Sequence, residues 1–332
     1  MRESFEALKT QSIVHRLIYR VLKFGSGILP AGRRQRMKAA LLRAVRYRPA
    51  YMRKEHLWGL NDIPRSPSVV VSLTSYPKRI GTVHRVIEAL LAQNFKPDKI
   101  VLWLGEDRFP RKELDLPENL LRLKSFGLTI GWCKDVRSYT KLIPALKAYP
   151  NDIIVTVDDD TLYGNGVLKS LYDSYLRDPD SVHCNVVLKI GVGEDGCPLP
   201  YLKWQGSRDL GRKSVAQLLL GYGGVLYPPG FLCDEIFNEE AFLRLAPHAD
   251  DLWFWAMTVK SGARIKLVEH PNIDFGCDYC ADQGSALCNI NMDGPVLNDQ
   301  QFSAILAAYP EVKSRLLKAV AETKGILRKD GV

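Results

Sequence analysis

Four short apolar runs alternate with segments of helical periodicity between residues 67 and 180, and this alternation limits the fold more than any other feature. The runs are SVVVSL from Ser68, KIVLWL from Lys99, LTIGW from Leu128 and IIVTV from Ile153. Strands that are apolar on both faces are typical of parallel sheets covered by helices on both sides. Because strands and helices alternate, the sequence predicts an α/β fold with a mainly parallel sheet and helices on both of its faces.

The pattern loosens beyond residue 180. Strands are predicted there at Val182–Ile190 and Gly224–Tyr227, and a helix at Leu252–Ser261. The second half is therefore expected to be a mixed sheet with long loops. The helices predicted in the first half are Thr82–Gln93, Pro117–Ser125, Thr140–Tyr149 and Gly166–Leu176.

Positive charge is concentrated at the N-terminal end of the chain. Residues 1–58 hold 14 of the 46 lysines and arginines and 3 of the 37 aspartates and glutamates, which leaves 32 basic and 34 acidic residues elsewhere. The basicity therefore belongs to an arm attached to a nearly neutral body. This distribution argues against nucleic acid as a partner.

Within this arm, apolar residues recur at helical spacing from Ile13 to Leu22, and Arg16, Arg20 and Lys23 lie on the opposite side. Such a helix suits an anionic membrane surface, where each basic residue contributes about 1 kcal/mol. We therefore expect residues 1–62 to form a basic helical arm that binds the membrane surface, with a packing arm as the alternative. Charges interrupt the apolar run too often for a membrane span, and no signal-peptide core is evident.

The cysteine content bears on the cellular compartment. The chain has seven cysteines, an odd number scattered without the spacing of a disulfide framework. Reduced thiols are typical of the cytosol. Together with the basic arm, they predict a cytoplasmic protein that is peripheral on the inner face of the cytoplasmic membrane.

Three consecutive aspartates, Asp158, Asp159 and Asp160, directly follow the fourth apolar run. Like charges this close repel each other, so a cation or a strongly hydrated loop is needed to tolerate them. Mg²⁺ and Mn²⁺ bind one or two carboxylates and complete their coordination with water and phosphate oxygens. The sequence therefore predicts a divalent metal at this loop, with capping of the following helix as the alternative.

A second loop is expected to lie beside the aspartates. It follows the first apolar run and has the sequence SLTSYPKR over Ser72–Arg79. In an open parallel sheet, ligands bind in the crevice outside the carboxyl ends of the strands. Both loops leave such ends, so we expect them to face one crevice, where a metal would stabilise a departing diphosphate.

Five segments together are similar to bacterial glycosyltransferases of the family 2 type, which build capsules and lipopolysaccharide. The resemblance implies a GT-A fold, in which a mainly parallel nucleotide-binding sheet with an Asp-x-Asp motif is followed by a mixed acceptor half. It implies a glycosyltransferase domain at 67–310, divided into a nucleotide-sugar half (67–180) and an acceptor half (181–310), and a helical tail at 311–332. The segments are SLTSYPKRI, SYTKLIPALKAYP, IVTVDDDTLY, GYGGVLYPP and ADDLWFW.

The resemblance also implies roles for residues of the first half. Asp160 would bind Mn²⁺ or Mg²⁺, and Asp158 would face the ribose side and act as a further metal ligand. The donor would be a nucleotide-sugar, with a UDP-sugar expected. The residues expected to contact the nucleotide are Thr74, Ser75, Tyr76, Arg79, Lys141, Asp158 and Asp159.

Sugar transfer needs a base that takes the proton from the acceptor hydroxyl. The resemblance assigns this role to Asp251, with its neighbour Asp250 as the second candidate, in the segment ADDLWFW. Helix capping by Asp250 is the alternative. Trp253 and Trp255 would either stack on a sugar or belong to the core. The chain has neither the Glu-Asp pair nor the later Gln-x-x-Arg-Trp that are common in the family.

These expectations predict a metal-dependent hexosyltransferase that moves a sugar, with inversion, from a nucleotide-sugar to a glycan or lipid-linked acceptor in surface polysaccharide biosynthesis. Two alternatives stay open. One is a sugar-phosphate transferase or nucleotidyltransferase of capsule synthesis, for which SLTSYPKRI is poor in glycine. The other is a non-catalytic carbohydrate-binding protein.

Overall fold

The computed structural model of the chain describes residues 54–272, 275–277 and 297–329, without the side chains of 275–277 and 324–329. The chain divides into two compact units, Met1–His56 and Leu57–Val332. The first unit lies almost wholly outside the described residues. The basic arm at residues 1–62 therefore stays a prediction.

Strands and helices alternate in the first half of the second unit, as the sequence predicts. The predicted helix Thr140–Tyr149 is shorter than expected, because a 3-10 turn at Arg137–Lys141 precedes it and Pro144 fits the first helical turn. In chain order the elements are β1 (Val69–Thr74), α1 (His84–Leu91), β2 (Lys99–Gly105), α2 (Glu118–Leu121), β3 (Leu128–Cys133), α3 (Ile143–Ala148), β4 (Ile153–Thr156), β5 (Thr161–Tyr163) and α4 (Val167–Arg177).

The second half has short strands, longer helices and extended loops. The predicted strand Val182–Ile190 is split in two at Asn185, whose side-chain amide donates to the Gly223 carbonyl and where the chain passes from one sheet to another. The elements are β6 (Ser181–Cys184), β7 (Val187–Lys189), β8 (Gln205–Gly206), β9 (Lys213–Ser214), β10 (Gln217–Leu219), β11 (Val225–Tyr227), α5 (Glu239–Leu245), α6 (Asp250–Lys260), β12 (Arg264–Leu267), β13 (Phe275–Cys277), α7 (Leu297–Ala308) and α8 (Pro310–Lys329).

An eight-stranded sheet in the order β3-β2-β1-β4-β11-β6-β12-β9 forms the centre of the fold. All its neighbouring strands are parallel except where β11 joins β4 and β6 and where β9 joins β12. Helix α4 packs on β6 and β11, and α6 packs on β12. The predicted α/β fold with a mainly parallel sheet is confirmed.

The strand order reverses next to β1. The chain adds β2 and then β3 on one side of β1, and then places β4 on its other side. Ligands of open α/β sheets bind at such a reversal, outside the carboxyl ends of the two strands. The loops that leave β1 and β4 therefore flank the position where a ligand is expected.

A large apolar core lies between the sheet and the helices of the second half. Helix α6 is its centre, because Leu252, Trp253, Phe254 and Trp255 are all buried. Trp253 and Trp255 have no exposed surface, so their stacking on a sugar is ruled out and they belong to the core. In the described part of the chain, no helix combines the length and apolar character that crossing a membrane requires.

Candidate functional site

The loops after β1 and β4 meet at the strand-order reversal, as the sequence predicts. Ser75, one residue past β1, donates from Oγ to Asp159 Oδ2 at 2.6 Å. Arg79 donates from Nη1 to Asp159 Oδ1 at 2.8 Å. The two partners reach the same carboxylate across 84 and 80 positions of sequence. One crevice edge is therefore built from the two predicted loops.

The three aspartates differ in what surrounds them. The side chain of Asp159 is only 8% exposed, whereas those of Asp160 and Asp158 are 17% and 28% exposed. Arg79 Nη1 lies 3.0 Å from Asp160 Oδ2, so one guanidinium bridges two of the carboxylates. The middle aspartate thus holds the loop, and the outer two retain surface toward the crevice.

Lys141 connects this edge to the opposite wall. Its Nζ lies 2.8 Å from Asp158 Oδ1 and 2.9 Å from Asp250 Oδ2, and its side chain is 7% exposed. The Lys141 carbonyl accepts a hydrogen bond of 2.6 Å from Ser72 Oγ on β1, which fixes the 3-10 turn against the sheet. A single buried ammonium therefore joins the end of β4 to the start of α6.

Asp250 and Asp251 are the first two residues of α6. Ala249 is the capping residue and no side chain caps the helix, so the expectation that Asp250 caps it is wrong. Asp250 is buried and pairs with Lys141 instead, a contact across 109 positions that local sequence does not reveal. Both carboxylates also lie at the helix N-terminus, where the helix dipole favours negative charge.

Asp251 is held by backbone from the other side of the site. The Gly221 amide donates to both of its carboxylate oxygens, at 3.2 and 3.1 Å. A Cβ atom at position 221 would lie 2.7 Å from Lys141 Nζ and 2.9 Å from Asp251 Oδ1, so the glycine permits this close approach. Asp251 nevertheless keeps part of its surface accessible.

The carboxyl groups of the site have perturbed acidities. Burial raises the pKa of Asp251 to about 7, and the charges of Asp250 and Asp158 add to the rise while Lys141 opposes it. Burial also raises the pKa of Asp160 to about 6, with the charge of Asp158 adding to it and Arg79 opposing it. Acids with such values exchange protons near neutral pH.

Negative groups outnumber positive groups in this cluster. Five carboxylates, at positions 158, 159, 160, 250 and 251, contact or approach two cations, Arg79 and Lys141. The predicted need for a cation between the aspartates is thus met in part by the protein itself. The excess of carboxylates still favours a further positive charge.

The outer two aspartates are the candidate ligands for a divalent metal. Asp158 and Asp160 are hard oxygen donors, and both side chains are partly exposed. Within the described residues, no group of three or more His, Cys, Asp or Glu side chains is arranged to hold a metal. A site with two protein carboxylates, completed by phosphate oxygens and water, is the arrangement usual for Mg²⁺.

Two of the residues predicted to contact the nucleotide, Thr74 and Tyr76, make contacts within the protein. Thr74 donates from Oγ1 to the Trp103 carbonyl at 2.9 Å, a contact inside the sheet. Tyr76 lies with its ring centroid 5.7 Å from the Arg79 guanidinium carbon. Both flank the crevice edge, and their contact with a nucleotide stays a prediction.

Sequence reasoning missed Tyr163. Its hydroxyl accepts a hydrogen bond of 2.9 Å from the Asp158 backbone amide, and the residue is fully buried in β5. The contact fixes the turn that presents the three aspartates. The tyrosine five residues after Asp158 was the available signal, but a buried phenol at this spacing has no pattern that distinguishes it from an ordinary core residue.

We expect Arg79→Lys to lower the free energy of unfolding by about 1.5–3 kcal/mol, because the lysine side chain is shorter and its ammonium would not reach the position of Nη1, which contacts both Asp159 and Asp160. The control is Arg108→Lys, since Arg108 is 55% exposed in its pair with Asp135 and should cost less than about 1 kcal/mol. Urea denaturation of both variants measures the difference. Equal losses of unfolding free energy in the two variants would show that the buried contacts of Arg79 stabilise the fold no more than an exposed ion pair does.

Comparisons with known proteins leave the family open. No family model matches the chain, and no curated protein matches it. Among solved structures, it is similar to CMP:2-keto-3-deoxy-manno-octonic acid synthetase complexed with CTP, at 12% identity and a TM-score of 0.35, over 60% of this chain and 88% of the other. A likeness this weak carries no argument about function.

Proposed function

We propose that the chain is a metal-dependent glycosyltransferase of the GT-A type, which moves a sugar with inversion from a nucleotide-sugar to a glycan or lipid-linked acceptor. The observation that supports this most is the link from Asp158 through Lys141 to Asp250, with Asp251 beside it. Lys141 thus links the proposed donor-binding aspartates to the segment that carries the proposed base. A UDP-sugar is the donor we expect, in the synthesis of surface polysaccharide.

On the donor side, Asp158 and Asp160 would hold Mn²⁺ or Mg²⁺. When bound, the metal would neutralise negative charge on the diphosphate of the donor. Arg79 and Ser75 keep Asp159 in place between them and so fix the spacing of the outer carboxylates. Lys141 lies close enough to Asp158 to interact with ribose or phosphate groups bound there.

On the acceptor side, Asp251 takes the proton from the acceptor hydroxyl. The acceptor oxygen forms a bond to the anomeric carbon as the bond from that carbon to the diphosphate breaks, and the nucleoside diphosphate leaves with the electron pair. A pKa of about 7 suits this role, because a base near the working pH is both available and strong enough. The Gly221 amide orients the carboxylate.

Product analysis tests the reaction class. The full chain is incubated with Mn²⁺, UDP-sugars and a mixture of simple glycosides, and with CTP or UTP plus sugar phosphates in parallel. Acceptor-dependent release of UDP supports glycosyl transfer. Release of pyrophosphate from the nucleoside triphosphates would instead identify a nucleotidyltransferase, and release of neither product would favour a carbohydrate-binding protein.

The basic arm gives a prediction about location. Deleting residues 1–58 removes a net charge of +11 from the chain, so we expect binding to vesicles of anionic lipid to fall by at least about tenfold. Co-sedimentation with such vesicles measures this, with neutral vesicles as the control. Equal binding by the truncated chain would show that the arm is a packing element.

A further inference from the structure

Two tyrosines, Tyr201 and Tyr222, have no role in the reaction proposed above, and both bear on Asp251. Tyr222 follows Gly221, whose amide binds the Asp251 carboxylate, and its side chain is 45% exposed. Tyr201 is partly exposed in the turn Tyr201–Lys203. Burial raises the pKa of the Tyr201 phenol, and the charges of Asp251 and Tyr222 raise it further.

A row of aromatic rings fixes Tyr201 to the helix that carries Asp251. The Tyr201 ring centroid lies 5.0 Å from that of Trp204, which lies 4.9 Å from Phe302. Phe302 in turn lies 5.2 Å from Trp255, four residues after Asp251 on α6. Tilted and edge-to-face rings at these distances hold one another in place.

Backbone contacts hold the two tyrosines from the other side. The Tyr201 amide donates to Asp299 Oδ1 on α7 at 2.6 Å. Tyr222 is the middle residue of the 3-10 turn Gly221–Gly223, and the Gly223 carbonyl accepts from the Asn185 amide at 3.2 Å. Both tyrosines are thus carried on fixed backbone, and Tyr222 directly follows the glycine whose amide binds the partly accessible Asp251.

We infer that Tyr201 and Tyr222 form a wall of the acceptor subsite beside Asp251, and that this wall binds the pyranose ring of a neutral sugar. The inference rests on the proposed function. A phenol offers an apolar face to the C–H groups of a pyranose and a hydroxyl to its oxygens. The excess of carboxylates over cations repels an acidic sugar.

The aromatic residues nearest to the acidic pair in sequence are not the ones that can contact a sugar. Trp253 and Trp255 follow the acidic pair directly in sequence, but both are fully buried. Trp255 supports Tyr201 through Phe302 and Trp204, whereas Trp253 packs against Phe242 and Tyr309. The rings with accessible surface come instead from two loops that precede α6 in the chain.

The test measures binding of methyl glycosides to the full chain in the presence of Mg²⁺ and UDP. The probes are the neutral methyl glycosides of glucose, galactose, mannose and N-acetylglucosamine, and the acidic methyl glucuronide, detected by ligand-observed NMR titration. We expect at least one neutral glycoside to bind. Tyr222→Leu should raise the Kd of that glycoside by about threefold to tenfold, the scale of one aromatic contact. Tyr222→Phe keeps the ring and should stay within about twofold.

Leu176→Ala serves as the control variant, because Leu176 is an exposed residue of α4 and its loss should change neither binding event. Equal affinity of wild type and Tyr222→Leu overturns the inference, as does failure of every neutral glycoside to bind. Tighter binding of the glucuronide would overturn the neutral-sugar assignment. UDP binding is measured first. If UDP does not bind, the proposed transfer reaction fails. If UDP binds but the affinity for the glycoside is the same with and without the Tyr222 ring, only the present inference fails.

Discussion

Asp251→Asn is expected to lower acceptor-dependent turnover by about 10² or more, the scale for removing a positioned general base. The amide keeps the shape of the side chain but cannot take a proton at neutral pH. Donor affinity should stay within about twofold, because the proposed donor contacts come from the β1 and β4 loops. Steady-state rates and separate donor titrations measure the two quantities, and near-wild-type turnover would exclude Asp251 as the base.

The pH dependence of turnover follows from the same residue. Asp251 must be deprotonated to act, and its pKa is raised to about 7 by burial and by neighbouring carboxylates. The wild-type rate should therefore fall as the pH drops below about 7, and the residual rate of Asp251→Asn should lose this limb. If the rate of Asp251→Asn still fell below about pH 7 as in the wild type, another group would be responsible for that fall.

Stability has the opposite pH dependence at this position. The folded-state pKa of Asp251 lies above its ordinary value of 3.8, so the folded state binds the proton more tightly than the unfolded state. The corresponding stabilisation is complete below about pH 4 and is lost as the pH rises toward about 7. Relative to Asp251→Asn, the wild type should lose free energy of unfolding across that interval.

Asp250→Asn is the matched comparison for Asp251→Asn. Asp250 is buried against Lys141, so the variant should lose stability, on the order of 1–3 kcal/mol, through the weakened charged contact. Its loss of turnover should be smaller than that of Asp251→Asn. The reverse order of the two rate losses would transfer the role of base to Asp250.

Asp160→Ala is expected to weaken Mn²⁺-dependent UDP binding by at least about 100-fold, because loss of even the outer partners of metal ligands costs about 10- to 100-fold. The fold should persist, since Arg79 keeps its contact with Asp159. Asp173→Ala removes an exposed aspartate of α4 that pairs with Lys169, and serves as the control. Unchanged affinity in Asp160→Ala would remove the metal site.

Much of the fold could be predicted from the sequence, because its strands are buried on both faces and so read as continuous apolar runs. All four predicted strands of the first half are present, and the loops that leave β1 and β4 meet as expected. The parallel sheet itself brings these loops together, so the crevice edge follows from fold class and strand order.

The internal ion pairs of the site could not be predicted. Lys141 contacts Asp158 seventeen positions away and Asp250 at a far greater separation, and Arg79 reaches Asp159 from the loop after β1. The Lys141–Asp250 pair depends on how the two halves pack, which no local pattern records. For the same reason, a capping role for Asp250 looked reasonable from its neighbours and was wrong.

The sequence did not indicate which aromatic residues are exposed near the candidate site. Trp253 and Trp255 lie beside the acidic pair in sequence, yet α6 turns both into the core. Tyr222 is distant from that pair in sequence, yet it directly follows Gly221, whose amide binds Asp251. Proximity along a helix predicts neighbours on its surface, but burial of the whole helix makes exposure unpredictable.

Calorimetric titration of the wild-type chain with UDP, once with Mn²⁺ and once with a chelator, tests the central claim most directly. The outer carboxylates Asp158 and Asp160 carry exposed surface and share a cluster with excess negative charge, which should repel a diphosphate when no metal is present. We predict saturable binding with Mn²⁺ that is lost with the chelator. Equal UDP affinity under both conditions would contradict a metal-dependent nucleotide site.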